Sequence, residues 1–106
     1  MVQAAVKSFL LEDFLASPET EPESEYFDCE IVQKPMPKGK HSAIQCEFTS
    51  FINSALRSKH IARAFSKLRC TFEGMSIVPD ISVFRWVRIV RDRDGKIANI
   101  FSIAPD

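Results

Sequence analysis

Apolar and polar positions along this chain change period several times, and each change predicts an element. In SFLLEDFLA, residues 8–16, Leu10, Leu11, Phe14 and Leu15 recur at helical spacing, and Pro18 stops the run. This predicts a short amphipathic helix over Ser8 to Ala16, although Leu10 stands where a capping hydroxyl belongs. SPETEPESE reads as a polar linker punctuated by proline. EYFDCEIVQ then places strand formers on both sides of Asp28 and Cys29, which predicts a tight hairpin. KPMPKGK reads as loop.

The longest helical pattern runs from Ser42 to Lys59. Ile44, Phe48, Phe51, Ile52, Ala55 and Leu56 fall along one face, and Ser42 with Gln45 has the spacing of a capping box. Strict alternation follows from Ser66 to Glu73. Leu68, Cys70 and Phe72 lie on one side and Arg69, Thr71 and Glu73 on the other, which predicts a half-buried strand. Gly74, Met75 and Ser76 then turn the chain. Ile77 to Val90 and Ile97 to Ile103 read as further extended segments, separated by a turn at Asp94 and Gly95. Helix, hairpin, helix and strands in that order predict an α+β or mixed α/β fold, with one long helix packed on a sheet.

At 106 residues the chain holds one domain at most. No apolar stretch is long enough to span a bilayer, and the N-terminal run contains acids and no small-residue cleavage site. A cytoplasmic location is the expectation. Three widely spaced cysteines, Cys29, Cys46 and Cys70, support neither a disulfide framework nor a zinc site. Lysine plus arginine and aspartate plus glutamate both number 14, yet residues 1–30 carry one base and eight acids. An acidic N-terminal third is thus joined to a basic remainder. Arg57, Lys59, Arg63, Lys67, Arg69, Arg85, Arg88, Arg91 and Arg93 are available for phosphate contacts, but no aromatic residues interleave with them in the regular way of a nucleic-acid-binding stretch.

One carboxylate stands out. In SIVPDISVF, Asp80 follows a proline and opens an alternating run, so it sits at the mouth of a strand. An acid there is either a turn former or a metal ligand on a rigid element. Phosphodiester hydrolysis assisted by Mg²⁺ needs hard oxygen ligands that converge, and Glu25 and Glu30 on the hairpin are the other candidates. Asp92, Asp94 and Lys96 also offer acid and base, but they lie in the Asp94–Gly95 turn and read as solvated loop.

The stretches LLEDFLASPETEPESEYFDCEIV, PMPKGKHSAIQ, LRCTFEGMSIVPDISVF and IANIFSIAPD together resemble a large bacterial family of putative restriction endonucleases, long catalogued as a domain of unknown function, in the PD-(D/E)xK nuclease-like superfamily. The resemblance runs over nearly the whole chain. It implies a restriction-endonuclease-like α+β core acting on DNA, a hydrolase with Mg²⁺ as cofactor, and catalytic residues Asp80 with Glu25 or Glu30, with Asp80 and Glu30 as the expected metal ligands. His41 matches a recurrent family position beside the site. The family pattern also expects a strand bearing a second acid and a lysine after the point where this sequence stops. The chain thus reads as the N-terminal part of such a domain, residues 1–106, with an incomplete site, weak or absent metal binding and little activity alone. On that reading an edge beside the Asp80 strand and the apolar face of Ser42–Lys59 stay uncovered, and the chain is expected to dimerise, to bind another chain that supplies the lost elements, or to be poorly soluble. The alternative is a non-catalytic remnant that binds DNA or pairs with a full-length relative.

Overall fold

The computed structural model describes residues 10–106. Its first element is a short helix, α1 (Leu11–Ala16). The positions Ser8 and Phe9 of the predicted helix lie outside the described residues. Leu10 provides no side-chain cap; its carbonyl accepts the N–H groups of Asp13 and Phe14, each at 3.1 Å. The helix buries Phe14, whose ring lies 5.6 Å from that of Tyr26 and beneath the guanidinium of Arg69.

The hairpin forms where its residues predict it, as β1 (Ser24–Phe27) and β2 (Glu30–Gln33), with Phe27 opposite Glu30 and Ser24 opposite Gln33. Its two-residue turn holds Asp28 at φ 51° and Cys29 at φ 59°. Positive φ at both positions is the type I′ geometry whose twist matches that of the flanking strands.

The long helix, α2, spans Gly39–Leu56 and so starts and ends three residues before the predicted bounds. The predicted capping box does not form. Ser42 lies inside the helix, its N–H donating to the Lys38 carbonyl at 2.9 Å, and Lys38 is an N-cap without a side-chain bond. The predicted apolar face is also divided. Ile52 and Leu56 are half-buried on the side that packs on β3 (Ala62–Ser66), but Ile44, Phe48 and Phe51 are 65%, 54% and 71% exposed. Asn53 explains the orientation. Its side-chain amide clasps the backbone of Ala64, accepting the N–H at 2.9 Å and donating to the carbonyl at 3.1 Å. It thereby satisfies the outward-facing groups of a strand edge.

The strand predicted over Ser66–Glu73 is shorter, and a separate strand precedes it and ends at Ser66. Lys67, at φ 52°, separates β3 from β4 (Cys70–Phe72). Glu73 and Gly74, at φ 49° and 77°, make the next turn, so Met75 and Ser76 belong to β5 (Met75–Ile77) rather than to the turn. The extended segment from Ile77 resolves into β6 (Ile81–Arg85) and a short 3₁₀ helix, Trp86–Arg88. Two antiparallel sheets result, one in the order β2-β1-β5-β4 and one pairing β3 with β6. An isolated parallel bridge joins Cys70 to Phe101. The architecture is α+β, as the element order predicts.

The core gathers where these pieces meet. Cys70, Phe84 and Phe101 are fully buried, and the rings of Phe65, Phe84 and Phe101 pack edge to face at centroid separations of 4.8–6.0 Å. Leu68 and Phe72 join Cys70 on this side, as the alternation requires. Arg69, predicted to face solvent, is only 6% exposed. Its fork donates to both carboxylate oxygens of Glu19 at 2.9 and 2.7 Å, to the Ser24 carbonyl at 2.8 Å and to Ser76 Oγ at 3.0 Å. A buried guanidinium is tolerated here because acceptors meet its N–H groups. The edge expected to stay open beside Asp80's strand is partly closed. Asp106 donates its N–H to the Val83 carbonyl at 2.9 Å, and its carboxylate accepts from Arg85 and Arg88.

Candidate functional site

Asp80 sits immediately before β6, with its side chain 41% exposed. Two cationic or proton-bearing groups meet its carboxylate. Lys34 Nζ donates to Oδ1 at 2.9 Å, and His41 Nε2 lies 2.9 Å from Oδ2. An ionised carboxylate only accepts, so His41 serves as the donor through Nε2. Hydrogen bonding and charge from Lys34, helped by His41, hold the Asp80 carboxyl below its ordinary range against the opposing effect of partial burial. Asp80 is thus a fixed anion with an exposed edge.

The hairpin supplies the rest. Lys34 follows β2 directly and extends its ladder, its N–H donating to the Glu23 carbonyl at 2.8 Å. Glu25 pairs with Val32, so Glu25 and Lys34 are diagonal neighbours on one face of the hairpin. Glu25 Oε2 accepts the Val78 N–H at 2.8 Å, and the Val78 carbonyl accepts from Lys34 Nζ. Two opposite-charge side chains of the hairpin therefore clamp the single residue Val78, two positions before Asp80.

Glu30 lies on the same face but at the other end of the strand. It pairs with Phe27 beside the turn, is exposed, and stands four residues, or about 13 Å, along the strand from Lys34. The structure therefore brings Asp80, His41 and Glu25 together around Lys34 and Val78, and leaves Glu30 at the hairpin tip. Lys34 is the member that sequence reasoning missed. It was absorbed into the loop KPMPKGK, and only the hairpin register gives away its position. Asp92 and Asp94 are elsewhere, in an exposed turn where Asp92 Oδ1 accepts the N–H groups of Asp94 and Lys96 at 2.9 and 3.0 Å.

Among the described residues no group of three or more histidine, cysteine, aspartate or glutamate side chains is arranged to hold a metal ion. Asp80 and Glu25 are two hard oxygen donors. Lys34 and His41 already engage both Asp80 oxygens and the Val78 N–H engages one Glu25 oxygen, so the pair does not make a closed all-protein cage, and an ion held there would keep most of its water.

Comparison with known proteins places this geometry in context. The family model described as Uma2, putative restriction endonuclease, matches residues 11–106. A crystal structure of a putative nuclease belonging to DUF820 from Anabaena variabilis matches with a TM-score of 0.89 and 62% sequence identity. The match covers 92% of this chain and 54% of that one, so this chain spans about half the length of the relative. A search of curated proteins returned no match.

Proposed function

The chain belongs to the Uma2 putative restriction endonuclease family, and on that premise we propose that it is a nuclease-like module that engages DNA phosphodiesters through the exposed edge of Asp80. The observation that carries this reading is the convergence of Lys34 and His41 on one carboxylate at a strand mouth, with Glu25 held beside it through Val78. Asp80 and Glu25 are the residues that would hold a divalent cation. Such an ion, when bound, stabilises charge on a phosphate and makes an attacking water more acidic. Lys34 and His41 keep Asp80 ionised and aimed, and Lys34 brings a positive charge to the place where a phosphate would approach.

Two carboxylates make a weak site. On this reading the 106 residues alone bind divalent ions loosely and cut DNA little or not at all, because two carboxylates leave most of the coordination shell to water. Incubating supercoiled plasmid with the chain and Mg²⁺ or Mn²⁺ tests the second point. No conversion to nicked or linear forms is expected. Cutting that disappears in Asp80→Ala would overturn the proposed inactivity while supporting the assignment of Asp80.

The exposed Ile44, Phe48 and Phe51 on α2 favour a second reading, in which this face joins a second copy of the chain or another chain of the family. Exposed apolar patches of this kind mark association surfaces.

A further inference from the structure

Six of the seven arginines of this chain divide into two groups, and Arg93 lies in the exposed turn before Gly95. Arg69 is bound by Glu19, and Arg85 and Arg88 by Asp106. Arg57, Arg63 and Arg91 form no ion pair among the described residues, yet they gather in one place. Arg57 lines a surface pocket with Asn53, Ser54, Ser58, His60 and Trp86. The His60 and Trp86 rings stack in parallel at 4.3 Å, and the Arg91 guanidinium sits 5.6 Å from the centre of the Trp86 ring. Arg63, on β3, places its guanidinium over Phe65, and its Nε is buried with no hydrogen-bond partner among the described residues.

An unpartnered buried N–H is costly, and three guanidinium groups without an acid repel one another. Burial and the neighbouring charges of Arg57 and Arg91 all disfavour the charged form of Arg63. The mutual repulsion and the disfavoured charge of Arg63 are both relieved by one event, the arrival of an anion beside the three guanidinium groups. Arg91 spends one N–H on the Gly95 carbonyl at 3.3 Å, which leaves most of its fork free.

We infer that Arg57, Arg63 and Arg91, around the stacked His60 and Trp86, form a binding site for a phosphate group. Planar, multi-donor guanidinium groups match the geometry of phosphate oxygens. The site is separate from Asp80. Asp80 precedes β6 and Trp86 follows it, so the two stand at opposite ends of a five-residue strand, about 17 Å long. It does not depend on the proposed role of Asp80.

Trp86 is the only tryptophan, so its fluorescence reports on this site directly. The experiment titrates the chain with inorganic phosphate in one arm and with a short DNA duplex in the other. A saturable change in Trp86 emission is expected. Saturation by inorganic phosphate identifies a free-anion site, and saturation by duplex alone identifies the nucleic-acid backbone as the source of the phosphate. Arg57→Gln, at an exposed position, is expected to weaken binding roughly tenfold through the loss of one charge-assisted contact, and Arg91→Gln similarly. No saturable change in either arm, or a change undiminished in both arginine variants, would overturn the inference.

Discussion

Lys34 Nζ and Asp80 Oδ1 lie 2.9 Å apart across 46 positions of sequence. The contact ties the end of the hairpin to the mouth of β6 and holds the Asp80 carboxyl below its ordinary range. A carboxyl whose folded-state value is depressed stabilises the fold fully above the unfolded value, about 3.9, and loses that contribution as pH falls through the folded value. Lys34→Met should therefore raise the Asp80 titration midpoint, measured by NMR of the carboxyl carbon, and should flatten the acid limb of the stability profile. Because Asp80 is 41% exposed, solvent screening keeps the stability change below about 1 kcal/mol. An unchanged midpoint would show that the pair does not persist in solution.

The hairpin turn makes a second prediction. Cys29 is held at φ 59°, a conformation that costs an L-residue about 1 kcal/mol and costs glycine nothing. Cys29→Gly should raise the thermal midpoint and stabilise by about 1 kcal/mol in denaturant unfolding. A loss of stability would mean that the Cys29 side chain contributes contacts that outweigh the strain.

Arg69 is the polar anchor between β4, β1 and the linker through Glu19. Arg69→Met should destabilise by about 2–3 kcal/mol, since it removes charge-assisted bonds to the buried Ser24 carbonyl and Ser76 hydroxyl. Arg69→Lys should recover little, because a single ammonium cannot reach the same set of acceptors in the fork geometry. Urea unfolding of the two variants checks both statements, and full rescue by lysine would contradict the role assigned to the fork.

These residues also show where the sequence was legible. Period-two alternation located the Leu68, Cys70 and Phe72 face correctly, because hydrophobic burial acts on every position of a strand. It misjudged Arg69, because a buried guanidinium depends on acceptors 45 and 50 residues away in the chain. Asp28 and Cys29 announced a two-residue turn through the strand formers on either side. The capping box at Ser42 was local chemistry that tertiary packing overrode, with Asn53 setting how α2 meets β3. Asp80 was visible as an acid at a strand mouth. Lys34 was not, since its role depends on hairpin register and on a contact spanning 46 residues.

The exposed face of α2 predicts self-association or capture of a related chain. Phe51→Ser should leave the folding stability of the monomer within about 0.5 kcal/mol, as expected for a surface position, and should shift any dimer toward monomer in concentration-dependent size-exclusion chromatography. Elution of the unsubstituted chain as a monomer at every concentration would argue against this face as an interface.

Mn²⁺ titration followed by paramagnetic broadening of the amide NMR spectrum tests most directly the proposal that Asp80 is a ligand of a cation-dependent site. Broadening centred on Val78, Asp80 and the Glu25 region, weakly saturable and abolished in Asp80→Ala, is the predicted result. Broadening that is absent there, or that survives the substitution unchanged, would contradict it.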